Sequence, residues 1–237
     1  MRELGRLVLA TLLSYPFGLA IGIPWLLPLL NTAPAYWLMA RRLRAGDRKG
    51  AVAAMLLWAS ALLVFGTAFF ALWPRDPGPL VLNGVSYREE MFHWIRTGEG
   101  SEGSPQRFLP QHLGHLAAFV VLSLASASAL SILLGAILMN YMDYYVASLA
   151  RAGAPLLPAT LVGWHIWSVC RVAAFCTLGV VLAEPLLSRV LRYRYAGLRE
   201  ARVYVLWAAA GLLLDVILKA LLAPTWGLWL RRLLSGG

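Results

Sequence analysis

The stretch LGHLAAFVVLSLASASALSILLGAILMNYMDYYVASLA, residues 113–150, is 38 residues long and carries one acid, Asp143, and one histidine, His115. As a single α-helix rising 1.5 Å per residue it would be about 57 Å long. The hydrocarbon core of a bilayer is about 30 Å thick, so this stretch reads as two shorter helices or a re-entrant pair, with a break expected near Gly135 or around Asn140 to Asp143. Four other apolar runs, Leu7 to Met39, Ala51 to Trp73, Leu156 to Ala183 and Val203 to Leu222, reach or exceed the about 20 residues that one helical crossing needs. A chain in lipid must satisfy its backbone hydrogen bonds internally, which restricts spanning segments to helices and closed barrels. The fold class expected is all-α: a polytopic transmembrane bundle of about six membrane-embedded helices with kinked or re-entrant segments.

Composition agrees. Of the 237 residues, 60% are hydrophobic and 14% charged, and the mean hydropathy is +0.68; a soluble domain carries about 25% charged residues. Residues 1–237 read as one integral membrane domain, with 74–111 as a polar loop subdomain. The net charge of +10 does not point to nucleic acid, because the bases sit in short connections between apolar runs. Arg41, Arg42, Arg44, Arg48 and Lys49 form one cluster, and Arg189, Arg192, Arg194, Arg199 and Arg202 another. Such clusters mark cytoplasmic loops and meet anionic lipid headgroups. Residues 74–111 carry Arg75, Arg88, Arg96 and Arg107 against Asp76, Glu89, Glu90, Glu99 and Glu102, as suits an extracytoplasmic loop. The expected location is a plasma membrane of prokaryotic type, with 41–49 and 185–202 inside and 74–111 outside. That arrangement requires residues 113–150 to cross twice; the alternative is that one basic cluster departs from a statistical rule.

Details of the runs sharpen this outline. Pro16, Pro24, Pro28 and Pro34 kink or break the first, since each internal proline removes a helix hydrogen bond. Its length exceeds a short signal-peptide core, and it is expected to be retained. Ala125 to Ala129, and Gly179 with Ala183, offer small surfaces for close helix packing in lipid. Cys170 and Cys176, six apart, are too distant along one helix to bridge. Trp226 to Leu234, after Pro224, is too short to span and reads as an interfacial or terminal helix.

Ionisable residues inside spans are expensive and face the bundle interior. Asn140, Asp143, His165, Arg171 and Glu184 are the expected polar core, with Asp143 the first choice of counter-ion for Arg171 and Glu184 the second. Asp215 and Lys219 stand four apart, the spacing of a local ion pair.

The polar loop holds a second candidate. Ser86 to Arg96 reads as a short amphipathic helix with Tyr87, Met91, Trp94 and Ile95 near one face, preceded by an Asn83-Gly84 turn and offering a surface for a protein partner. Glu90 and His93 are three apart, a spacing used by metal-binding helices, and His112 and His115 repeat it after a Gly and Ser-rich stretch. Converging, the four would bind zinc or iron and activate a water. The competing explanation is local: Ser86 and Glu89 fit a capping box, and the histidines face headgroup water.

From Glu90 to about Leu187 the order of elements is a short amphipathic helix, a polar turn, Phe108-Leu109 before a helix start, a long small-residue-rich apolar segment and a proline-punctuated pair of helices. This layout resembles the stage II sporulation protein M family of integral membrane proteins, departing from it at His165 and Arg171. The resemblance implies a non-catalytic membrane scaffold or complex subunit. The function expected is a non-enzymatic multi-pass membrane protein acting as a subunit, scaffold or permease-like component; the alternative is a metal-dependent membrane hydrolase using Glu90, His93, His112 and His115.

Overall fold

The computed structural model describes residues 2–193 and 197–236. Among them are nine α-helices and no strand. Six helices are long and apolar enough to cross a membrane, as the apolar runs predict. Arg194 of the second basic cluster lies outside the described residues.

The first run is broken rather than merely kinked. Helix α1 (Arg2–Ile21) ends at Gly22, whose φ of +77° suits glycine, and α2 (Leu26–Arg44) returns beside it. Glu3 pairs with Arg41 and Arg42 at 2.9 and 3.1 Å, so the start of α1 meets the end of α2. Helix α3 (Arg48–Leu72) follows, its start capped by Asp47, which accepts from the Gly50 N–H. A buried polar network ties this hairpin to α3 and α6. The Tyr15 hydroxyl donates to Asn140 Oδ1 (3.1 Å), with the Leu62 carbonyl as an alternative acceptor at 3.3 Å, Asn140 Nδ2 donates to Asn31 Oδ1 (2.9 Å), and Asn31 Nδ2 donates to Ser14 Oγ. Every member gains a partner that lipid would not supply.

Residues 113–150 do form two helices, but the break is not where glycine or the polar pair suggested. Helix α5 (Pro105–Ser126) ends and α6 (Ala129–Arg151) begins at Ala127 and Ser128, with φ of +49° and +66°. Serines replace the hydrogen bonds that the turn interrupts. Ser126 Oγ accepts from the Leu130 N–H, Ser128 Oγ donates to the Gly179 carbonyl at 2.7 Å, and Ser123 Oγ donates to Ser131 Oγ. Small side chains let this turn sit against α8 (Ile166–Leu191). Gly135, Asn140 and Asp143 are left inside an unbroken α6.

The double crossing resolves the two basic clusters. Arg48 forms a two-pronged pair with Glu184 at 2.6 and 2.7 Å, which brings the 41–49 turn beside the last turns of α8, where Arg189 lies. The 74–111 loop leaves the opposite end of α3. These two ends are called here the basic end and the loop end.

At the loop end α4 (Gly84–Thr97) packs on α6 and on α9. Met91, Trp94 and Ile95 are buried, the amphipathic face expected. The capping box does not form: α4 starts at Gly84 after a left-handed Asn83, so Ser86 is already inside the helix. The fourth run splits into α7 (Leu156–Gly163) and α8 around Trp164 and His165. Helix α9 (Leu198–Ser235) runs on through Pro224, so residues 226–234 are the terminal turns of one long helix rather than an interfacial one. Its 38 residues span about 57 Å, far more than the core requires, and the excess docks on the loop subdomain. Trp226 Nε1 donates to the Val162 carbonyl (2.6 Å), Arg231 Nε to the Ile95 carbonyl (2.8 Å), and Leu230 is wholly buried. Both cysteines are free. Large apolar side chains point outward from α1, α5 and α9, among them Phe17, Leu113, Trp207 and Leu221, as lipid-facing helices require.

A Cβ at Gly66 would stand 2.2 Å from Asp143 Oδ2 and 2.6 Å from the Tyr15 hydroxyl, whereas one at Gly135 would meet nothing within 4 Å. Gly66→Val should therefore lose about 2 kcal/mol of stability through overpacking, while Gly135→Ala should be neutral or slightly stabilising. Thermal unfolding of the two variants in detergent, followed by tryptophan fluorescence, checks this contrast.

Candidate functional site

The ionisable residues of the loop half collect on α9. Asp215 and Lys219 stand one turn apart, each 1% exposed, and each takes its charge partner from another element. Asp215 Oδ2 lies 3.5 Å from Arg171 Nε and 3.2 Å from His112 Nδ1, while Lys219 Nζ donates to Glu102 Oε1 at 2.8 Å. Arg171 is further held by His112 Nε2 at 2.9 Å and Ser168 Oγ at 3.1 Å. Lys219 also lies over the Phe108 ring, 4.7 Å from its centroid. The i,i+4 pair expected within α9 is thus replaced by two pairs across elements. The reason is that Arg171 and Glu102 would otherwise be buried without counter-ions, a larger penalty than any gain from a local pair.

This corrects the counter-ion of Arg171, which is Asp215 and neither Asp143 nor Glu184. Glu184 serves Arg48 at the basic end. Asp143 accepts from Thr67 Oγ1 (3.0 Å) and Trp164 Nε1 (3.1 Å) through Oδ1, and its Oδ2 has no hydrogen-bond partner. Asn140 belongs to the Tyr15 network. His165 is fully buried, stacked on Trp167 with ring centroids 4.5 Å apart, and neither ring nitrogen has a partner. The polar core is therefore several separate clusters at different depths.

Nor does the structure gather the four residues expected to bind zinc or iron. Glu90 accepts from Ser101 Oγ. His93 is exposed, because burying Met91, Trp94 and Ile95 turns it away from the bundle. His112 is engaged with Asp215 and with the Arg171 cation, whose charge opposes a metal ion, and His115 faces a cavity. Among the described residues no group of three or more His, Cys, Asp or Glu is arranged to hold a metal. The spacing of three set each pair on one helix side but said nothing about which side packs inward.

Between α3, α5, α6 and α8, with Met39 of α2 and Tyr87 of α4 at its edges, lies the feature that spacing did not reveal, a partly open cavity of about 110 Å³. Its loop-end wall is polar: Tyr87, Tyr141, His115, Ser168 and Arg171. Towards the basic end it is mostly apolar, lined by Met39, Met55, Phe119, Ile132, Phe175 and Val180 with the hydroxyl of Ser131, and Gly135 leaves room along one side. No carboxylate lines it. Trp164 lines it too and donates to Asp143, so the cavity wall touches the buried carboxylate network. The one prior signal was the pair of glycines within apolar runs. The chain matches no family model, no curated protein and no solved structure.

Burial works against the charged form of Glu102, but Lys219, and after it His165 and Arg171, outweigh burial and hold the carboxyl at about 2. A carboxylate depressed in the folded state adds stability above its unfolded value, near 4.5, and that contribution is lost as pH falls towards the folded value. Melting temperature in detergent should therefore drop between about pH 4.5 and 2, and Glu102→Gln should flatten that part of the profile. At neutral pH Lys219→Met should lower stability by about 3 kcal/mol, because Glu102 is left buried and alone, and adding Glu102→Gln should restore much of it.

Proposed function

We propose that this multi-pass membrane protein is non-enzymatic and permease-like, or a subunit of a membrane complex, and that it receives a membrane-soluble ligand in the cavity between α5, α6 and α8. The observation that carries this reading is the cavity itself. It is polar at one end and mostly apolar at the other, and Arg171 on its polar wall is braced by Asp215 of α9. Concave, mostly apolar spaces with a few convergent polar groups are the usual form of small-molecule sites. The dispersal of Glu90, His93, His112 and His115 removes the geometric support of the hydrolase alternative. The layout resemblance to the stage II sporulation protein M family points the same way, towards a non-catalytic membrane component.

In this reading the basic end is cytoplasmic, with Arg41, Arg44, Lys49 and Arg189 exposed to anionic headgroups, and the 74–111 loop is outside. The membrane is a plasma membrane of prokaryotic type. Helix α4 spends its apolar face on α6 and α9. A protein partner at 86–96 would therefore meet the exposed polar face of Glu89, His93 and Arg96 and be recognised through charge.

Two measurements test these statements. A single-chain lipid probe should bind the protein in nanodiscs saturably at one per chain, and Gly135→Leu, which fills the cavity from a position with open space before it, should abolish binding; non-saturable partitioning in both proteins would overturn the reading. In a background with Cys170 and Cys176 replaced by alanine, Ala45→Cys and Arg189→Cys should react with an impermeant thiol reagent from one face of the membrane and Glu99→Cys from the other.

A further inference from the structure

Resting on the cavity reading above, we infer that the ligand is a single-chain lipid ending in an oxyanion, its head held by Arg171 with His115 and Tyr141, and its chain directed along α8 towards Gly179.

The polar end of the cavity is rich in donors and poor in acceptors. Arg171 uses Nε towards Asp215, one terminal nitrogen towards His112 and the other towards Ser168, and a guanidinium carries five N–H groups, so some remain for a ligand. Neither His115 nor the Tyr141 hydroxyl has a hydrogen-bond partner among the described residues. Tyr87 donates only to the Met142 sulfur at 3.2 Å, a weak acceptor. The missing element is an acceptor with several lone pairs, which a carboxylate or phosphate head supplies.

Charge points to the same chemistry. Arg171 is the one fully charged side chain on the cavity wall, with no carboxylate beside it on that wall. Its counter-ion Asp215 belongs to α9, which contributes nothing to the lining, and is shared with His112. Beyond the mouth the wall is mostly methionine, isoleucine, valine and phenylalanine, which accept a hydrocarbon chain, and the Ser131 hydroxyl there already donates to the Ser128 carbonyl and accepts from Ser123. On α8 the lining runs from Arg171 to Val180, about 13 Å along the helix axis. Phe119 and Phe175 meet with their rings tilted by 37° and centroids 4.6 Å apart and form its flank, and Gly179 lets Phe119 pack closely against α8.

The test compares palmitate, hexadecyl phosphate and hexadecanol as probes of the full-length protein in nanodiscs. At least one anion should bind at least tenfold tighter than hexadecanol, and which anion does so separates a carboxylate-headed from a phosphate-headed ligand. Arg171→Gln should remove the anion preference while leaving hexadecanol binding in place. If Arg171→Gln fails to fold because Asp215 is left unpaired, the double variant Arg171→Gln/Asp215→Asn removes both charges, and His115→Gln and Tyr141→Phe each leave the ion pair intact and should weaken anion binding severalfold. Saturable binding of all three probes with equal affinity overturns the oxyanion assignment and leaves the cavity reading standing. Absence of saturable binding by any of them overturns both.

Discussion

Asp215 is the point on which the loop half of this bundle turns. A carboxylate 1% exposed in a membrane helix is tolerated only with a cation beside it, and Arg171 answers that need from α8 while His112 approaches from α5. Three helices are thereby drawn to one point, and the rotation of α9 about its axis is set. Lys219, one turn further on, must then face the loop, where Glu102 meets it. The long final helix, the loop subdomain and α5 share one set of charges, so none of the three can shift alone.

That arrangement also shapes the cavity. Asp215 holds the Nε edge of Arg171 from behind, which presents the rest of the guanidinium to the space between α5, α6 and α8. The hinge at Ala127 and Ser128 brings α5 back across α8 with Phe119 against Gly179, and α6 closes the other side with Gly135 turned to the gap. A bulkier residue at the hinge would resist two consecutive left-handed conformations, and a side chain at Gly135 would occupy the space. The cavity is thus a product of where small residues fall in two helices and of where one arginine is anchored.

The rest of the bundle is held differently. At mid-depth the Tyr15, Asn31 and Asn140 network joins four helices through neutral hydrogen bonds, and Arg48 with Glu184 fastens α3 to α8 at the basic rim. Neutral networks at mid-depth and ion pairs nearer the ends follow the rising penalty for charge towards the bilayer centre. Asp143 is the exception in depth, and it is served by a hydroxyl and an indole rather than by a cation.

Read alone, the chain determined the class of fold. Five apolar runs and a 38-residue stretch too long for one crossing were enough for an all-α bundle in which that stretch forms two helices, because hydrocarbon admits few backbone solutions. The amphipathic face of α4 was equally legible from Met91, Trp94 and Ile95. What spacing could not decide was which elements meet. Asp215 and Lys219 are spaced to pair with each other and instead pair with Arg171 and Glu102, since long-range partners left uncompensated would be worse. Glu90 with His93, and His112 with His115, are spaced to share a ligand, but helix rotation, dictated by the apolar faces of α4 and α5, sends them apart. The break in residues 113–150 passed over Gly135 for Ser128 because a neighbouring carbonyl, that of Gly179, was there to accept its hydroxyl. Local sequence carries conformational preference and polarity; partner choice arises only once every buried polar group must be satisfied at the same time, and that condition exists in the assembled bundle alone.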